Sequence, residues 1–220
     1  MITAHHVTTR RTARYYLLGE PGAGVRDIWI VCHGYGQLAG HFVRRFQPIA
    51  AANRVIVAPE ALSRFYLGDH TRPAGPDTVV GASWMTREDR DADIADYVGY
   101  LDTVCETVTR AAPAAAVHLL GFSQGTATVS RWAAAGQVAA RRIVLWGGAP
   151  AHDIDLASAA PRLAHTELLL VVGRTDPYIT TKVRAAEEAR LRQAGVPFRM
   201  VEYDGGHEIH EPTLVALGGG

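Results

Sequence analysis

With 220 residues, 48% of them hydrophobic, the chain is long enough to bury one substantial core, and a single domain over residues 1–220 is expected. Its 22 basic side chains, all arginine except Lys182, are balanced by 22 acidic ones, which excludes a net field able to hold nucleic acid or an anionic membrane surface and suits a small neutral partner. Cys32 lies in an apolar run and Cys105 on the apolar side of a predicted helix, as reduced, packed thiols do; no signal peptide is legible in Met1–Arg14, and no run approaches the ~18 apolar residues of a membrane span, so a cytoplasmic protein is expected.

In chain order, Arg14 to Leu18 predicts an outer strand, followed by a buried strand over Ile28 to Cys32. A helix is expected over His41 to Ala52 and a strand over Val55 to Ala58. Residues 62–83, with Pro73, Gly75 and Pro76, form an irregular stretch well beyond the roughly 4–6 residues of a usual connection, which suits a binding wall or lid. The clearest helix is predicted to begin near Thr86, where Glu88, Asp89, Asp91 and Asp93 oppose the positive end of the helix dipole. Ile94, Tyr97, Val98, Leu101, Val104, Cys105 and Val108 follow as one apolar stripe. Apolar strands at Val117 to Leu120, Ile143 to Trp146 and Leu168 to Val172 alternate with helices at Ser123 to Ala135 and Thr180 to Ala194. Gly136 and Gly195 are read as left-handed caps of those helices. Phe198 to Tyr203 completes the series near an edge. The alternation predicts an α/β fold, a mostly parallel central sheet flanked by helices on both faces.

The chemistry concentrates after these strands. Gly121-Phe122-Ser123-Gln124-Gly125 matches G-x-S-x-G between a strand and a helix, where a sharp turn exposes a serine hydroxyl and flanking glycines permit close backbone approach. A nucleophilic serine needs a base, and the base needs an orienting carboxylate. Asp176 follows the strand Leu168 to Val172, His207 sits in a glycine turn after the last strand, and Ser123, Asp176, His207 is the chain order expected for such a site on this fold. Asp153 and Asp155 are rival acids, and His210 is a rival base. His207-Glu208-Ile209-His210 spaces its histidines at i and i+3 rather than the i and i+4 of a zinc helix, so no metal is expected. His33-Gly34-Tyr35-Gly36 follows the strand Ile28 to Cys32, which makes the backbone N–H groups of Tyr35 and Gln124 the expected oxyanion donors and His33 a structural residue.

On these four segments, closing with Gly173-Arg174-Thr175-Asp176 and Gly206-His207-Glu208-Ile209, the chain resembles the phospholipase/carboxylesterase group of α/β-hydrolases from about Asp27 to Ile209. The resemblance implies an α/β-hydrolase fold and a cofactor-free serine esterase, with oxyanion loop, nucleophile elbow, acid loop and histidine loop in that order. Thr126 departs from it, standing where the group usually has another glycine, and Ser83-Trp84-Met85-Thr86 only loosely matches the group's tryptophan-containing stretch. The substrate expected is a small carboxylic ester of short to medium acyl chain. A thioester substrate and a noncatalytic ligand-binding role are the alternatives, and a homodimer is allowed. Phe65, Tyr66, Trp84, Met85, Tyr178 and Ile179 are the expected pocket residues, being large and apolar or amphipathic in loops beside the reactive ones.

Overall fold

Runs of aliphatic side chains set the strands, because residues apolar on both faces can be satisfied only inside a covered sheet. The computed structural model describes residues 1–68 and 75–218. Its strands are β1 (Tyr15–Leu18), β2 (Asp27–Cys32), β3 (Arg54–Pro59), β4 (Ser63–Tyr66), β5 (Val80–Ser83), β6 (Ala116–Phe122), β7 (Arg142–Trp146), β8 (Glu167–Gly173) and β9 (Arg199–Tyr203). Seven of them form one sheet in the order β1-β3-β2-β6-β7-β8-β9. Only β1 runs antiparallel to its neighbour there; every other pair is parallel. This is the mostly parallel α/β-hydrolase arrangement expected.

Alternate residues of each strand feed two cores. Ile28, Ile30 and Cys32 point to one side, where α2 (Arg90–Ala111), α3 (Gln124–Ala135), α4 (Leu156–Leu163) and α5 (Thr181–Gln193) contribute Leu101, Trp132, Leu156 and Leu191. Trp29 and Val31 point to the other, covered by α1 (Ala39–Phe42), a following 3-10 segment and α6 (Glu211–Gly218). Fully burying one such Leu or Ile contributes about 1.5–3 kcal/mol, so the two cores hold the C-terminal ends of β2, β6, β8 and β9 at one common edge.

Several local expectations are corrected. The helix expected over His41 to Ala52 is only one α turn, α1, followed by 3-10 helix over Val43–Ile49. Pro48 lacks the N–H an α-helix needs, and the buried residues Val43, Phe46 and Ile49 recur every third position, which suits three residues per turn. Rather than starting near Thr86, α2 begins at Arg90, after Asp89 at φ 47°. Thr86 Oγ1 accepts the Glu88 N–H at 3.1 Å, a local turn that competes with helix. Gly195 adopts the expected left-handed cap at φ 69°, but Gly136 is extended, and it is glycine because a Cβ there would lie 2.3 Å from Trp132 Cδ1. The stretch 62–83 is not irregular throughout: β4 and β5 pair antiparallel, Phe65 opposite Gly81, as a small second sheet. Residues 69–74 of the expected lid lie outside the described residues.

At the opposite edge of the main sheet, buried His118 on β6 stacks on Trp29 at 4.9 Å, and its Nε2 lies 2.8 Å from Asp27 Oδ1. Asp27 accepts from Nε2–H, so Nδ1, buried with no protein partner among the described residues, carries a lone pair. Burial lowers the His118 pKa, outweighing the hydrogen bond to Asp27 that raises it. The unfolded chain therefore binds a proton near the ordinary histidine pKa of about 6.5 that the folded chain refuses, and stability is lost as pH falls through that value toward the depressed one. Replacing His118 with Gln should accordingly flatten the fall in Tm between about pH 7 and pH 5. Thermal unfolding of both proteins across that range checks it, and identical slopes would contradict the assignment.

Candidate active site

Ser123 follows β6, the central strand, and opens α3 at φ 54° and ψ −117°, a region L-residues avoid. Two glycines make the turn possible by close approach. A Cβ on Gly121 would lie 2.1 Å from the Gly125 carbonyl oxygen, and one on Gly125 would lie 2.2 Å from the Cys32 carbonyl oxygen. Both ends of the Ser123 peptide are held: its N–H donates to Trp146 O at 2.9 Å, and its carbonyl accepts from Thr126 N and Thr126 Oγ1 at 3.0 and 2.7 Å. Thr126, which departs from the glycine of the resembling group, thus supplies a hydroxyl that clamps the turn.

Asp176 is buried after β8. Its Oδ1 accepts the Tyr178 and Ile179 N–H groups at 2.8 and 3.1 Å, and its Oδ2 lies 2.7 Å from Nδ1 of His207. An ionised carboxylate only accepts, so Nδ1 carries the proton and Nε2 of the neutral ring is left bare. The imidazole is packed between the rings of Phe122, at 4.9 Å, and Tyr178, at 4.8 Å, and lies against Gly147, where a Cβ would stand 2.9 Å from its Cε1. Phe122 is the residue before Ser123, so serine and imidazole share one corner of the sheet edge. Among the described residues, neither Ser123 Oγ nor His207 Nε2 has a protein hydrogen-bond partner; such contacts often tighten only when substrate binds.

The rivals are engaged elsewhere. Asp153 pairs with Arg131 and Arg90, and although burial opposes it, the Arg131 hydrogen bond holds its carboxyl below the usual range. Asp155 caps α4, accepting from Ala157 N and Ser158 N at 3.1 Å each. His210 stacks on Tyr203 and contacts Thr213 Oγ1 at 2.9 Å, away from Asp176. No group of three or more metal-ligating side chains occurs among the described residues.

After β2, the loop His33–Gln37 is latched from several sides. Gly34 N–H donates to Gln37 Oε1 at 2.8 Å, and Gly36 N–H donates to Ala82 O of β5 at 2.9 Å. The Tyr35 and Gln124 N–H groups have no protein acceptor among the described residues. Buried His33 accepts the Ala61 N–H on Nε2 at 3.1 Å and therefore donates from Nδ1 to Gly34 O at 2.8 Å. Burial lowers its pKa, keeping it neutral and structural.

Trp84 corrects the pocket expectation. It is 2% exposed and its indole N–H donates to His33 O at 2.8 Å, because the sheet core on this side has room for a large ring beside Tyr97. The Gln124 side chain, which sequence reasoning missed, accepts from Trp84 N at 3.1 Å and donates to Met85 O at 2.9 Å. Met85 therefore lies behind the elbow.

A sequence model of the family described as phospholipase/carboxylesterase matches residues 18–217. The chain belongs to the phospholipase/carboxylesterase family. Similar folds include acyl-protein thioesterase 2 of Zea mays, with a TM-score of 0.68 at 15% identity over 94% of this chain and 97% of that one. A carboxylesterase from Mesorhizobium loti gives 0.67 at 20% identity over 94% and 93%. At these identities the likeness is one of fold. No curated protein matches the chain by sequence. Membership of the phospholipase/carboxylesterase family makes it an esterase-type hydrolase, and no helix among the described residues is long and apolar enough to cross a membrane.

In this member of the phospholipase/carboxylesterase family, a cleft of about 720 Å³ opens beside His207. Its walls include Leu38, Phe42, Val80, Phe122 and Ile209, none of them among the expected pocket residues. Of those, Phe65 packs on the Tyr35 ring at 5.2 Å, Tyr178 covers His207, Ile179 serves Asp176 through its backbone, and Tyr66 is exposed on β4. Phe122 and Ile209 flank motif residues and were within reach of the sequence; Val80 was not, since only the β4–β5 pairing brings it here. A cavity of about 730 Å³ against α2 and the N-terminal segment touches none of Ser123, Asp176 and His207. Gly125→Ala should lower stability by roughly 1–3 kcal/mol through the clash with the Cys32 carbonyl. Chemical denaturation checks this, and a change under about 0.5 kcal/mol would contradict the close approach.

Proposed function

We propose that the protein is a serine carboxylesterase acting on short- to medium-chain esters through an acyl-enzyme. The observation that carries this reading is the buried Asp176 carboxylate fixing His207 Nδ1 at 2.7 Å, beside a serine held at φ 54°. In the proposed reaction Ser123 Oγ attacks the ester carbonyl carbon while His207 Nε2 takes the hydroxyl proton. Negative charge on the carbonyl oxygen is met by the Tyr35 and Gln124 N–H groups. Collapse expels the alcohol, protonated by His207; water, giving a proton to His207 Nε2, then attacks the acyl carbon, and the Ser123 Oγ–acyl bond breaks to release the acid as His207 returns that proton to Oγ. The residues of the cycle supply every proton transfer, so the reading requires no cofactor. It also takes the chain as one domain and as cytoplasmic, with two unpaired cysteines as support.

A thioester substrate is the second reading, favoured by the likeness in fold to the maize acyl-protein thioesterase. Matched oxygen and sulfur esters separate the two by kcat/KM. A noncatalytic binding role is tested by fluorophosphonate labelling, which should modify Ser123 in the folded protein.

Ser123→Ala should lower kcat by roughly 10⁶-fold, and Asp176→Asn by roughly 10⁴-fold because asparagine disfavours the required tautomer. Asp155→Asn, in a helix cap, should cost less than about tenfold. Steady-state assay on p-nitrophenyl esters of graded chain length tests all three and the length preference. Activity of Ser123→Ala within about tenfold of the parent, or a maximum at palmitate, would overturn the corresponding part.

A further inference from the structure

Overall neutrality conceals a cationic wall at the site. The 3-10 segment Val43–Ile49 turns Val43, Phe46 and Ile49 into the core, and this leaves the adjacent Arg44 and Arg45 on its outer side. Both line the cleft beside His207, together with Phe42 and Phe122, whose rings stack at 6.1 Å. Arginine elsewhere in the protein is commonly paired, as Arg131 is with Asp153 and Arg142 with Glu167. Among the described residues, Arg44 and Arg45 have no such carboxylate. Among the described residues that line the cleft the one acidic side chain, Glu208, carries its Oε1 3.0 Å from where a Gly205 Cβ would stand, against its own loop. The cleft thus reaches His207 and the residue before Ser123, its walls offer apolar surface, and two exposed guanidinium groups line it that suit carboxylate or phosphate oxygens.

We infer that the cleft selects ester substrates bearing an anionic group, separated from the ester by an apolar spacer that lies along Phe42, Leu38 and Ile209. This rests on the esterase reading, since it names the substrate class of that same site. A guanidinium pair rewards an anion more than the apolar walls reward a methyl end, because a terminal carboxylate keeps contact with solvent at the rim while accepting charge-assisted hydrogen bonds.

The test compares kcat/KM for two pairs: 4-nitrophenyl hydrogen adipate against 4-nitrophenyl hexanoate, which puts the charge on the acyl side, and 5-acetoxypentanoate against pentyl acetate, which puts it on the alcohol side. The parent should prefer the anionic member of at least one pair. The double charge reversal Arg44→Glu/Arg45→Glu should lower that anionic-to-neutral ratio on the order of 10- to 100-fold, whereas Arg44→Lys/Arg45→Lys should keep it within about threefold. Binding of adipate and hexanoate to Ser123→Ala by calorimetry gives a readout free of catalysis. Preference of the parent for the neutral member of both pairs, or ratios unmoved by charge reversal while the esters turn over, would overturn the inference and leave the esterase reading standing. Arginine-dependent adipate binding to Ser123→Ala, with none of the four esters hydrolysed by the parent, would uphold the anion site and overturn the esterase reading.

Discussion

The close approach of the turn after β6 to the end of β2 is the constraint on which the site depends. Holding Ser123 at φ 54° costs on the order of 1–3 kcal/mol, and the chain offsets it with the Trp146 carbonyl, the Thr126 hydroxyl and two glycines that let backbone meet backbone. The same approach brings the start of α3, where the Gln124 N–H has no acceptor among the described residues, against the loop that carries Tyr35. Any side chain at Gly125 would push β2 and α3 apart, and with them the Tyr35 and Gln124 N–H groups proposed to bind the oxyanion.

A chain of polar contacts then ties the two loops into one body. His33 holds Gly34 and Ala61, its carbonyl takes the Trp84 indole N–H, and the backbone at Trp84 and Met85 binds the Gln124 side chain. Each group here is buried or half-buried and each is satisfied, which is what makes a polar network rigid rather than costly. The β4–β5 sheet contributes through Ala82, which fixes Gly36. The β4–β5 pair is therefore an outer support of the loop His33–Gln37, and Val79 and Val80 beside it line the cleft.

Charge is distributed by the same logic. Most ionic contacts lie on the surface, where each adds about 0–1 kcal/mol, and serve to place segments: Arg131 and Arg90 hold Asp153, and Arg174 and Arg184 hold Glu202. The buried carboxylates are each engaged: Glu60 by Arg14 and Arg64, Glu187 by Arg190, and Asp176 by two backbone N–H groups and the imidazole. Among the described residues none of these carboxylates pairs with Arg44 or Arg45, which line the cleft.

The alternation of apolar strands with amphipathic helices was legible in the sequence because a parallel sheet covered on both faces needs continuous apolar strands, and β2, β3, β6, β7 and β8 each carry such a run. The placement of Ser123, Asp176 and His207 at one edge was legible because each follows a strand, and parallel strands bring their C-terminal ends together. Helix ends were less so. Thr86, Pro48 and Gly136 act through local hydrogen bonds and contacts that periodicity does not register. What the sequence left open between Asp176, Asp153 and Asp155 turned on which carboxylate meets the imidazole, and the strand order decides it by setting β8 beside β9. The cleft was also beyond the sequence, since Phe42, Val80 and Ile209 are far apart in the chain and share a wall only after the 3-10 segment, the β4–β5 pair and the histidine loop have packed at the same corner.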